Sequence, residues 1–158
     1  MKHKKILICG AFAFDTMATG GQPVKTRELY YLLKDEYGVD DVDVLEITTW
    51  KINPFKLIYD FFNKAFNVDI IIMLPAHNGV LVFSSLLNIC RCLVGKKIYY
   101  DVIGGWLASK AENNKWLAYK LKKFNGVWVE TSSMKSDLEK LGFKNVYVFK
   151  NFKNLEVV

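Results

Sequence analysis

Apolar residues in this chain gather into short continuous runs, separated by longer stretches with a helical period. The runs cover residues 5–9, 42–47, 69–74, 97–101, 126–130 and 146–149. Most are unbroken rather than alternating, the pattern of strands whose two faces are both covered. Each intervening segment is long enough for a right-handed crossover. The first helix is announced by Gln22-Pro23, with proline in its first turn, then Leu29, Leu32 and Leu33, with Gly38 as its stop. Residues 54–66 carry Phe55, Ile58, Phe62 and Phe66 at helical spacing, although their flanks fix no register. Asn78 opens a helix over 79–94, either Ser109 or Asn114 begins one that reaches Lys123, and Thr131 or Ser132 caps a last one ending at Gly142. The alternation predicts an α/β fold: a doubly wound, Rossmann-like parallel sheet of about six strands with helices on both faces.

Composition fits that picture. The chain has 158 residues, 51% hydrophobic and only 24% charged, which suits one folded domain over residues 1–150 and is too short for two. Residues 151–158 read as the start of an interdomain linker. No signal peptide is visible behind the basic start, which places the chain in the cytosol. The longest apolar stretch, 79–94, is broken by Ser84, Ser85, Asn88 and Arg91 and reads as a buried helix, since a span needs roughly 20 clean residues. Three cysteines with only His3 and His77 for company suggest buried, reduced thiols rather than a metal site.

The net charge of +6 is localised. Residues 91–124 hold eight Lys and Arg against Asp101 and Glu112, and the rest of the chain balances. A helical projection of 115–124 sets Leu117, Ala118, Leu121 and Phe124 on one side and Lys115, Lys120, Lys122 and Lys123 around Trp116 and Tyr119 on the other. Interleaved lysines and aromatics suit an anionic membrane surface, or else form a solvated helix face. Nothing frames these lysines as a nucleic-acid motif, so no nucleic-acid partner is expected.

Ligands of open parallel sheets bind beyond the carboxyl ends of the strands, which directs attention to the loops after Cys9, Leu74 and Asp101. The first contains Gly20 and Gly21 ahead of a helix whose opening turns carry Lys25 and Arg27. Cations there oppose the helix dipole unless an anion such as a phosphate sits between them, so both are candidate phosphate ligands beside the alternative of a solvated turn. Gly10-Ala11-Phe12 lacks the spacing of a dinucleotide fingerprint, and no P-loop is present. His77 opens a helix facing the same cleft and is a candidate for binding. Asp101, before Gly104-Gly105, either hydrogen-bonds a substrate hydroxyl or orders that turn.

The string Gly20-Gly21-Gln22-Pro23-Val24-Lys25-Thr26-Arg27-Glu28-Leu29, the loop Tyr100-Asp101-Val102-Ile103-Gly104-Gly105-Trp106-Leu107, and the closing run Glu130-Thr131-Ser132-Ser133-Met134-Lys135, Leu141-Gly142, Asn145-Val146 and Phe149-Lys150-Asn151-Phe152 follow one another in an order that resembles the retaining GT-B glycosyltransferases of family 4 type, especially those of bacterial capsule and exopolysaccharide assembly. The resemblance implies the N-terminal, acceptor-side half of a GT-B fold. It implies a hexosyltransferase-class enzyme in surface polysaccharide biosynthesis that moves a sugar from a nucleotide-sugar donor to a saccharide or lipid-linked saccharide acceptor. Gly20, Gly21, Lys25, Arg27, His77, Gly104 and Gly105 would then bind substrate, and Asp101 would be the catalytic candidate. The donor would sit mainly on a second domain or partner chain, leaving this chain inactive alone, with no cofactor and no metal. Many relatives carry a histidine where this chain has Ile103, and no catalytic histidine is carried over. The resemblance also implies a cytoplasmic protein lying peripherally on the inner face of the plasma membrane through Lys115, Trp116, Tyr119, Lys120, Lys122 and Lys123. The competing reading is a non-catalytic lipid- or saccharide-binding module that partners a separate catalytic chain.

Overall fold

The structure, a computed structural model, describes residues 4–16 and 18–150; His3, the expected linker 151–158 and the motif residues Asn151 and Phe152 lie outside the described residues. The strands are β1 (Ile6–Gly10), β2 (Val42–Glu46), β3 (Ile70–Met73), β4 (Lys97–Asp101), β5 (Gly126–Val129) and β6 (Val146–Val148). The helices are α1 (Gly21–Tyr37), α2 (Pro54–Phe66), α3 (Gly79–Val94), α4 (Leu107–Asn113), α5 (Lys115–Lys122) and α6 (Ser132–Lys140). All strand pairs are parallel, in the order β2-β1-β3-β4-β5-β6. The expected six-stranded Rossmann-like sheet is the fold of the chain.

The strand order explains how the helices divide. The chain moves one way from β1 to β2 and the other way from β2 onward, so right-handed crossovers put α1 on one face and α2 to α6 on the other. Alternate residues of the central strands serve the two layers: Ile6, Ile8 and Ile72 meet Leu29 of α1, while Leu7, Cys9, Ile71 and Met73 meet Phe61, Phe83 and Leu87 of α2 and α3. This double burial is why these strands read as unbroken apolar runs.

Local chemistry sets the helix ends. The Asn53 side chain caps α2 by accepting from the Lys56 amide at 3.2 Å, and Thr131 caps α6 through Met134. Asn114 ends α4 and caps α5 at the Leu117 amide, 2.9 Å away, so of the two expected starts for the helix towards Lys123 it is Asn114, with α4 a separate helix before it. Asn78 makes no side-chain cap at α3. Of the cysteines, Cys9 and Cys90 are buried as expected, whereas Cys92 is exposed.

Gly10 marks the closest approach of α1 to the sheet. A Cβ there would stand 2.5 Å from Cγ2 of Thr26, whose hydroxyl is held by the Gln22 carbonyl at 2.8 Å. Gly10→Ala is therefore expected to destabilise the fold by about 1–3 kcal/mol in urea unfolding, and the added change Thr26→Ser, which removes the clashing methyl, to recover much of that loss.

Candidate functional site

Because α1 and α3 leave the adjacent strands β1 and β3 on opposite faces, the loops at the carboxyl ends of those two strands diverge and a crevice opens between them. A cleft of about 200 Å³ lies there, reaching across to the end of β2. Its walls include Gln22, Thr48, Trp50, Lys51, His77 and Asn78. Gln22 is fixed by donating to the Leu74 carbonyl at 2.8 Å, which ties the start of α1 to the end of β3. Trp50 and Lys51 come from a single 3₁₀ turn after β2 and form a cation–π pair at 5.3 Å.

The loop after β1 is fastened from two sides. Glu46, the last residue of β2, accepts from the amides of Phe12 and Ala13 at 2.9 and 3.1 Å through one oxygen and holds Thr48 with the other. Ala13 adopts a left-handed φ of 48°, unusual for a residue with a side chain. From below, Arg27 donates to the carbonyls of Phe12 at 2.7 Å and Ala18 at 2.8 Å. Arg27 is thus a buried strut of this loop and does not line the cleft.

Lys25 is likewise turned inward. Its ammonium lies 2.7 Å from Asp101 Oδ1, 3.2 Å from Glu130 Oε1 and 3.2 Å from the Val102 carbonyl, and so ties α1 to the ends of β4 and β5. Asp101 is 1% exposed, and its Oδ2 finds no hydrogen-bond donor. Burial pushes its carboxyl up to about 6, against the opposing pull of Lys25; nearby Glu130 adds to the rise. Asp101 does not line the cleft, and its carboxylate is paired with Lys25.

That turn is organised by Trp106, whose indole N–H donates to the Ile103 carbonyl at 2.7 Å. Gly104 needs to be glycine twice over: its φ is 83°, and a Cβ would stand 3.3 Å from the Trp106 ring. Trp106 reaches His77, the ring centroids being 4.9 Å apart, and Lys110 of α4 donates to both His77 Nδ1, at 3.0 Å, and the His77 carbonyl. Nδ1 also lies 3.4 Å from Asn78 Oδ1, so the ring is held between Lys110 and its neighbour in the chain. Of the residues expected to share one site, His77 lies in the cleft, Gly20 and Gly21 adjoin it through Gln22, and Gly104 and Gly105 reach it only through Trp106. Gly21 has open space where a Cβ would be.

Comparison with known proteins bears on the fold. No family model and no curated protein sequence matches the chain. Among solved structures it is similar to Anabaena HepE in complex with UDP and glucose, with a TM-score of 0.54 and 14% identity over 96% of this chain. The two share a fold. The chain spans 45% of the length of that protein.

The basic helix α5 differs from its projection at one residue. Lys115, Trp116, Tyr119, Lys122 and Lys123 are exposed, but Lys120 is buried and donates to Ser85 Oγ of α3 at 2.7 Å. Its position three residues from Leu117 and one from Leu121 carries it to the packed side, where burial lowers its pKa. Lys120 belongs to the α3–α5 contact and not to the outer face. Trp116 and Tyr119 stack outside it with centroids 5.5 Å apart.

Proposed function

We propose that this chain is the acceptor-side domain of a glycosyltransferase that uses a nucleotide sugar, in the manner expected from the resemblance. The observation that carries the reading is the cleft at the switch point of a fold shared with a protein solved with UDP and glucose, the two parts of a nucleotide sugar. An aromatic ring with polar side chains around it, here Trp50 with Thr48, His77 and Asn78, suits a sugar ring. At about 200 Å³ the cleft is below the roughly 300–1,000 Å³ usual for a small-molecule site. This favours a donor held mainly on a second domain or partner chain. Gly20 and Gly21, unconstrained by any positive φ, leave the amides at the start of α1 open to the donor diphosphate. Within this reading Lys25, Arg27 and Asp101 are positioning residues that set the loops. The acceptor in this reading is a saccharide carried on a lipid, in surface polysaccharide assembly.

One observation favours the second reading, a non-catalytic binding module: Asp101, the proposed catalytic carboxylate, is sealed under Lys25. An array of oligosaccharides and UDP-sugars separates the possibilities. Retention of one or more saccharides is expected, weakened at least tenfold by Trp50→Ala or His77→Ala. Retention of UDP-sugars alone would point to a donor-side domain, and no retention at all would contradict both readings. Sugar transfer by the chain alone from UDP-sugar to the retained saccharide would contradict the division of labour.

A further inference from the structure

At the amino ends of β1, β3 and β4, on the edge of the sheet opposite the cleft, the surface sinks into an open basin of about 700 Å³. It is larger than the cleft and falls within the roughly 300–1,000 Å³ usual for a small-molecule site. The five residues of β1, at roughly 3.3 Å each, set the two about 16 Å apart. Because β3 lies between β1 and β4, Lys4 and Lys5 stand on one side of its start and Lys97 on the other, with Asp69 between them. Phe66, 54% exposed, and Asn67 complete the lining from the end of α2.

Lysines beside a helix C-terminus ordinarily donate to its last carbonyls, and α2 ends at this basin. That work is already done by others. Lys96 donates to the carbonyls of Phe66 and Val68, and Asn67 satisfies the Asn63 carbonyl with its side chain, at 2.8 Å, and the Lys64 carbonyl with its amide, at 3.0 Å. Asp69, the one acid in the lining, accepts from the backbone amide of Lys5 at 3.0 Å and pairs with no lysine side chain. Among the described residues, no carboxylate or carbonyl takes the ammonium of Lys4, Lys5 or Lys97. Three cations against one anion around a concavity concentrate positive potential inside it. We infer that this basin binds a nucleoside polyphosphate. The flexible lysine stems converge on the phosphates from both sides of β3, and the exposed face of Phe66 stacks on the base. Asn67 and Asp69 supply hydrogen-bond acceptors to the base or the ribose. Lying at the opposite edge of the sheet, the site is separate from the cleft and depends on no reading of it.

Calorimetric titration of the chain with ATP, inorganic triphosphate and adenosine, in magnesium-free buffer at low salt, tests this. ATP is expected to bind at one site, triphosphate more weakly and adenosine more weakly still. Lys4→Gln/Lys97→Gln should weaken ATP binding by about tenfold or more. Lys115→Gln/Lys123→Gln removes as much charge from α5 and should leave it unchanged. Phe66→Ala should weaken ATP and leave triphosphate where it was. Trp50→Ala and His77→Ala, which alter the cleft, should change neither, so the outcome stands apart from that of the saccharide array. The proposal is overturned if ATP does not bind, if the basin lysine pair has no effect, or if the α5 pair costs as much. ATP binding indifferent to Phe66→Ala, or abolished by Trp50→Ala, would overturn it equally, the latter by placing the nucleotide in the cleft.

Discussion

Lys25→Met is expected to cost about 3–5 kcal/mol of folding stability, read as a lowered urea midpoint. Lys25 is the cation set against Asp101 and Glu130 where α1 crosses the ends of β4 and β5. Removing it leaves the Asp101 carboxylate in a site that is 1% exposed, with one oxygen already lacking a donor. Glu130 is partly open to water and tolerates the loss better. Adding Asp101→Asn to Lys25→Met should therefore recover at least half of the lost stability, because the remaining amide is neutral. Additive losses would show that Lys25 acts through the Val102 carbonyl and packing instead.

The second large effect is in pH. Asp101 has its folded pKa raised, from the ordinary 3.8 to about 6, so the folded chain holds a proton that the unfolded chain has released over that interval. The stability from this group is complete below about pH 4 and is lost as pH climbs towards 6, by up to about 3 kcal/mol. Other carboxylates titrate in the same range, so the difference between the native chain and Asp101→Asn isolates the effect. Relative to the native chain, the variant should gain stability steadily from pH 4 to pH 6 and change little above pH 7. A flat difference would mean that water or a rearranged Lys25 solvates the carboxylate.

Why the fold was legible in the sequence, and the site only partly so, follows from the range of the interactions. Double burial writes itself into each strand as an unbroken apolar run, so the sheet could be read from the residues at 5–9 or 69–74 alone. Capping is equally local, and Thr131 was readable because its partner, Met134, is three residues away. Lys25 and Arg27 could be placed in the opening turns of a helix, but their partners are brought near only by the sheet; Glu130 is 105 residues from Lys25. As a result, cations that suggested a phosphate site are ion-paired or hydrogen-bonded within the protein. Lys120 was assigned to the outer face because a helical wheel does not show that Ser85 waits across the α3–α5 contact. Trp50 and Lys51 were missed because a single 3₁₀ turn has no period to detect, although a tryptophan next to a lysine just beyond a strand end was a usable signal. Glu46 was missed as well, although an acidic residue near the end of an apolar run at the ligand-binding edge of the sheet was a usable signal.

The acceptor-side reading depends on a sugar occupying the cleft between the ends of β1, β2 and β3. The four tryptophans offer a direct readout, since Trp50 lines the cleft, Trp106 adjoins it through His77, and Trp116 and Trp128 lie elsewhere. With indole nitrogens labelled, titration with a retained saccharide should shift the Trp50 signal most and the Trp106 signal less, leaving Trp116 and Trp128 in place. A shift confined to Trp116 or Trp128, or a Trp50 signal that moves with UDP-glucose and not with any saccharide, would contradict an acceptor site in this cleft.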